Sequence, residues 1–181
     1  MDPAEFSSTA SRLCSECGMC CNGVMFHTVR MQPADSAKAL TALGLKLKRK
    51  KGANYILQPC PAFRGTCCSI YDSRPERCRL FECRQLKRVA SGEITEATAL
   101  ERIRDVQRRV GELEELLRKC GGTNTRRALS KRYEKATAEP LHESADLATV
   151  ELRHRLALAM RELEAILDRE FRLVPLHAFP G

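Results

Sequence analysis

Cys14-Ser-Glu-Cys17-Gly-Met-Cys20-Cys21 places four thiols within eight residues, near the start of a 181-residue chain. Thiolates crowded this closely repel one another unless a cation sits between them. The usual cation is a metal ion or the core of an iron–sulfur cluster. A C-x2-C pair lets two side chains reach one ion from a tight turn, and Gly18 suits such a turn because it tolerates positive φ. This stretch therefore predicts a fold organised by metal rather than by a large apolar core.

The remaining cysteines extend the argument. Cys60, Cys67, Cys68, Cys78 and Cys83 form a second group, and Cys120 stands alone. Cys14, Cys17 and Cys20 repeat the close triplet of a bacterial ferredoxin, in which a remote Cys-Pro supplies a further ligand; Cys60-Pro61 is the candidate here. Cys21 breaks that pattern, because adjacent residues do not easily present both sulfurs to one tetrahedral ion. It is expected to serve a second site or to bridge, so the thiols suggest two sites or one multinuclear one. A helix is expected from about Pro75 to Arg88, carrying Cys78 and Cys83. Five positions at 100° each leave these side chains about 140° apart, so they need not serve the same metal. Cys120 closes an apolar stripe and reads as a core residue. His27 is the one imidazole near enough in sequence to be kept as a candidate ligand.

Charge divides the chain. Residues 1–90 hold 15 Lys and Arg against 7 Asp and Glu, whereas residues 91–181 hold 16 of each. The whole excess of +8 thus lies in the cysteine-rich half, where part of it can offset thiolates. That offset, the scarcity of aromatic residues and the lack of paired finger spacing disfavour a nucleic-acid partner. The sharpest basic run, Lys46–Lys51, reads as a solvated hairpin tip. The first ten residues show neither a basic region nor an apolar run, and no stretch is apolar enough to span a membrane. The expected compartment is the cytoplasm, where cysteines at this spacing are ligands or redox groups rather than disulfides.

Periodicity supplies the rest. Residues 1–10 read as a disordered lead. Val24–Val29 suits a short strand, residues 34–43 a helix ending at Gly44, and residues 45–57 a β-hairpin. From Ile94 to Cys120 apolar residues recur at spacings of three and four, which predicts a helix of about 28 residues ended by Gly121-Gly122. A short basic helix over 126–136 and a second long helix over 145–171 follow, with a tail from Pro175. The expected fold is mainly α. A small irregular cysteine-rich domain with a short β-hairpin occupies residues 11–90, and a long antiparallel helical hairpin occupies residues 91–172. Such a hairpin buries one seam only. Leu116, Leu158 and Leu167 are therefore expected to need a protein partner or a second copy of the chain.

The order Cys14-x2-Cys17-x2-Cys20-Cys21, Cys60-Pro61, Cys68-Ser-Ile-Tyr71, Arg74-Pro75 and Cys78-Arg79 resembles the CxxCxxCC (YkgJ-like) cysteine-cluster family, described as a candidate zinc- or iron-chelating domain. The resemblance covers residues 12–85. It implies eight ligands, Cys14, Cys17, Cys20, Cys21, Cys60, Cys68, Cys78 and Cys83, with Cys67 as the substitute for Cys68. It implies iron, an iron–sulfur cluster or zinc as the cofactor. Around these ligands, Arg74, Arg77, Arg79 and Arg84 are placed to offset thiolate charge, and Tyr71 to shield it. The expected function is metal binding with a protein partner. The alternatives are an iron–sulfur electron carrier or oxidoreductase component and, third, a zinc-dependent nucleic-acid-binding protein. No catalytic constellation and no nucleotide-binding G-x-G-x-x-G is present.

Overall fold

The structure is a computed structural model that describes residues 2–140 and 145–174. The expected tail from Pro175, which includes His177, lies outside them, as does His142. The fold is mainly α, with just over half of the chain helical and small sheets confined to the N-terminal region.

The first element is a difference from expectation. Residues taken as a disordered lead form most of helix α1, Pro3–Cys17. Asp2 caps it, its carboxylate accepting from the amides of Ala4 and Glu5 at 2.9 Å each, and proline occupies the first turn. Phe6, Ala10 and Leu13 then give the helix an apolar face against the main core. The helix ends at Gly18, whose φ of 60° lets its amide bond the carbonyl of Cys14 at 3.0 Å.

Strand β1 (Thr28–Arg30), β2 (Leu47–Lys50) and β3 (Ala53–Leu57) make an antiparallel sheet in the order β1-β3-β2, with the short helix α2 (Ala37–Ala42) between β1 and β2. Ile56 faces inward beside Val29 and Leu47, and with Leu40, Leu45 and Ala62 it builds a small second core. A two-residue ladder follows, β4 (Phe63–Arg64) against β5 (Cys67–Cys68).

The single helix expected over 75–88 is two helices, α3 (Glu76–Leu80) and α4 (Arg84–Ala90). Phe81 and Cys83 are extended between them. The turn is anchored by Phe81, whose ring meets Phe26 edge-on at 5.4 Å.

Helices α5 (Glu96–Lys119), α6 (Leu129–Thr137) and α7 (Leu147–Glu170) complete the chain. Thr95 and Asp146 cap the two long helices. Arg102, near the start of α5, meets Glu170 at the end of α7 at 3.1 Å, as an antiparallel pair requires. The stripe Ile103, Val106, Leu113 and Leu117 is buried against Leu156, Leu163 and Leu167. The same core takes in Leu13, Met19, Val24 and Met25 from the first cysteine region and Leu86 and Val89 from α4. Of the three leucines expected to need a partner, Leu116 and Leu167 are covered within the chain, while Leu158 remains exposed together with Leu147 and Val150. No helix among the described residues is long and apolar enough to cross a membrane.

Candidate metal centre

All ten cysteines are free thiols. Cys14 and Cys17 do not sit in a turn. They lie three residues apart on the last turns of α1, a spacing that puts both on one side of a helix. Gly18 then reverses the chain, and the amides of Cys21 and Asn22 bond its carbonyl at 2.9 and 3.0 Å. That tight loop carries Cys20 and Cys21. Cys20 turns toward the main core, with its sulfur 3.8 Å from that of Met25.

The electrostatics of the thiols link them. Burial is the main cause that holds each of the following thiols above its ordinary value, and charge on neighbouring sulfurs adds to it. Cys14 is raised by burial and then by Cys83, although the residue itself reaches the surface. Cys17 is raised to about 12, by burial and further by Cys83 and Cys14. Cys20 is raised by burial and then by Cys17 and Cys83. Cys21 is raised to about 12 by burial and then by Cys60, Cys78 and Cys68. Cys78 is raised to about 11 by burial and then by Cys60 and Cys68, and Cys60 by burial and by Cys68. Packing sorts part of the set: Cys17, Cys20 and Cys83 border the main core, and Cys60 and Cys68 the small core under the sheet. Cys21 bears on Cys60, Cys78 and Cys68 and also on Cys17, Cys20 and Cys14, so the two neighbourhoods adjoin along the Cys20-Cys21 doublet.

Beside the triplet, Cys83 packs on the same core as Cys17 and Cys20, while Cys60 packs on the small core. Cys78, which need not share a metal with Cys83, lies in α3, and Cys83 opens α4 beyond the break.

Local backbone prepares several sulfurs for negative charge. Cys83 is the N-cap of α4, and the first-turn amides of Leu86 and Gln85 oppose the rise that burial imposes on its thiol. The amides of Ala62 and Phe63 face the sulfur of Cys60, and that of Met19 faces Cys17. Arg74 opposes the burial of Cys14 and of Cys78 and so acts on both thiols. Its guanidinium is fixed 3.5 Å above the centre of the Tyr71 ring, and it donates to the Tyr71 carbonyl at 2.9 Å. Arg84 is used elsewhere, donating to the carbonyl of Arg172. Tyr71 is half exposed and holds Arg74 rather than sealing the thiols.

The choice between Cys67 and Cys68 follows from strand alternation. In β5 the two side chains point to opposite sides. Cys68, opposite Phe63, packs against the small core near Cys60, whereas Cys67, opposite Arg64, is exposed. Cys120 caps α5 against the main core. His27 is held below its ordinary value by burial and then by Lys131, with Glu134 opposing and Lys50 and Lys48 adding; no cysteine bears on it.

Sequence reasoning missed Arg172. It is 1% exposed, donates to the carbonyl of Met25 at 3.1 and 2.8 Å, and is paired with Glu164 and Asp168. It ties the loop after Cys20 and Cys21 to the end of α7. An arginine following a charged helix carries no sequence signal of such a role.

Thiols gathered in this number suit a thiophilic ion, and Cys17 and Cys21, raised to about 12, would release a proton on binding one. As they stand, no three Cys, His, Asp or Glu side chains among the described residues are drawn together tightly enough to hold one ion.

Fold and thiols together define a cysteine-rich metal-binding domain built onto a helical core. The family model for CxxCxxCC, "putative zinc- or iron-chelating domain", matches residues 13–103, and the chain belongs to that family. The match takes in all eight motif cysteines and ends within α5. No curated protein and no solved structure matches the chain.

Proposed function

We propose that this protein holds metal in two adjoining four-thiolate sites, one formed by Cys14, Cys17, Cys20 and Cys83 and the other by Cys21, Cys60, Cys68 and Cys78. The observation that supports the reading is the packing of Cys17, Cys20 and Cys83 on the main core and of Cys60 and Cys68 on the small core, with Cys67 exposed. Four thiolates suit zinc or an iron–sulfur cluster, and either supplies the positive charge that the buried sulfurs need. The chain's part is to present the sulfurs, aim the amides behind Cys60 and Cys83, and hold Arg74 between the sets. The exposed strip Leu147, Val150 and Leu158 is the part of the helical arm left for a protein partner.

Metal analysis of full-length protein purified without oxygen tests this. Two independently removable equivalents of zinc, or iron with inorganic sulfide and a brown absorbance near 400 nm, are expected. A single site emptied by every one of the eight Cys→Ser changes alike would overturn the two-site reading.

A further inference from the structure

The basic run Lys46–Lys51 spans β2 and enters the turn that leads to β3, and its charged residues are exposed. Strand alternation places Lys46, Lys48 and Lys50 on one face of β2, opposite the face that carries Leu47 into the small core. In the register of the sheet, Lys48 stands opposite Tyr55, and Tyr55 opposite Arg30. The outer face therefore carries one transverse row, Arg30–Tyr55–Lys48, with a half-buried aromatic ring on the central strand and a cation on each side. Lys46 and Lys50 continue the charge along the edge. All four cations are exposed. None has a carboxylate partner among the described residues, although short ion pairs are common on α5. None of them bears on the thiols either, so this charge is not the offset that composition suggested.

We propose that this outer sheet face binds single-stranded nucleic acid, with Tyr55 stacking on a base and Arg30, Lys46, Lys48 and Lys50 contacting successive phosphates. Charge complementarity supplies the first half of the argument. Lysines two residues apart on a strand are spaced by about 6.8 Å, a regular cationic rail for a polyanion in extended form. The ring supplies the second half, because a base face stacks on an aromatic residue that cations flank, while paired bases in a duplex cannot reach it. A lipid surface fits less well, since Thr28, Ala53 and Leu57, the other residues of this face, are half-buried and offer no projecting apolar wedge.

The test is fluorescence anisotropy with a labelled single-stranded RNA of about ten nucleotides, using the metal-loaded full chain over a range of salt. Binding is expected to weaken with salt at a log–log slope of about −3, from four phosphate contacts at about −0.7 each. Lys46→Glu/Lys48→Glu/Lys50→Glu should abolish it, and Tyr55→Leu should weaken it by about tenfold, with Tyr55→Phe binding like the parent. Unchanged helical signal and metal content verify that each variant is folded. The proposal is overturned by absence of binding at low salt, by equal affinity for duplex, by indifference to Tyr55→Leu, or by binding to anionic vesicles alone.

Discussion

The amide of Cys60 donates to the carbonyl of Cys21 at 2.7 Å. One backbone bond thus fastens the second cysteine segment to the last residue of the first, and both residues belong to the same proposed site. The Cys20-Cys21 doublet acquires a meaning from it. Cys20 turns to the helical core, while Cys21 is fastened through its carbonyl to the segment that carries Cys60.

Cys68→Ser should remove metal from the second site, whereas Cys67→Ser and Cys120→Ser should leave metal content unchanged. Elemental analysis of the three variants checks this. Cys120→Ser is expected to cost no more than about 1–2 kcal/mol, as a polar atom placed at a half-buried helix end.

Cys83→Ser and Cys78→Ser should differ in what they melt. Cys17, Cys20 and Cys83 pack on the core shared with α5 and α7, whereas Cys60 and Cys68 pack on the small core under the sheet. Loss of the first site should lower the melting temperature of the helices. Loss of the second should speed amide exchange in residues 45–70 while leaving α5 and α7 protected. Equal exchange in both variants would show that the two cores unfold as one.

Arg172→Met should cost about 3–5 kcal/mol, because it strands the Met25 carbonyl and leaves Glu164 and Asp168 without their buried partner. Since Met25 lies beside Cys20, the same variant should also weaken metal at the first site. Thermal denaturation and competition with a chelator give the two readouts.

Glu170 gives the acid dependence. Burial pushes its carboxyl up, but Arg169, Arg102 and Arg88 outweigh that and hold it below the usual range. A lowered folded value stabilises the protein fully above the unfolded carboxylate value and is lost as pH falls through the folded one. Glu170→Gln should therefore cost about 1–2 kcal/mol at neutral pH, and the difference from the parent should shrink toward zero below about pH 4. Urea titrations at both pH values measure it.

The sequence displayed its regular helices openly. The stripes from Ile94 to Cys120 and from Leu152 to Ile166 became α5 and α7, because each needs only local periodicity and an N-cap. The β-hairpin was equally readable from Leu47 to Leu57. Helix α1 was also signalled, by Asp2-Pro3 ahead of Phe6, Ala10 and Leu13, but its polar composition masked the cap. The break at Phe81–Cys83 had no glycine or proline to announce it; contact between Phe81 and Phe26 makes it, and such a contact is invisible to spacing. The packing of the thiols was hidden for the same reason. Spacing ranks Cys14, Cys17 and Cys20 together, yet Cys83 reaches the core of Cys17 and Cys20 through where α4 begins.

Gly18 bears on how any survey of mutants would be read. Its φ of 60° suits glycine, and a methyl group there would lie 2.6 Å from the tip of the Phe63 ring. Phe63 is the strand partner of Cys68. Gly18→Ala would therefore wedge the α1 loop away from the strand that carries a sulfur of the other site. In a screen scored by metal retention it would be counted among the ligands, although it donates no electron pair. A map of loss-of-metal positions in this protein will outline the seam between the α1 loop and the β4–β5 ladder as well as the sulfurs themselves.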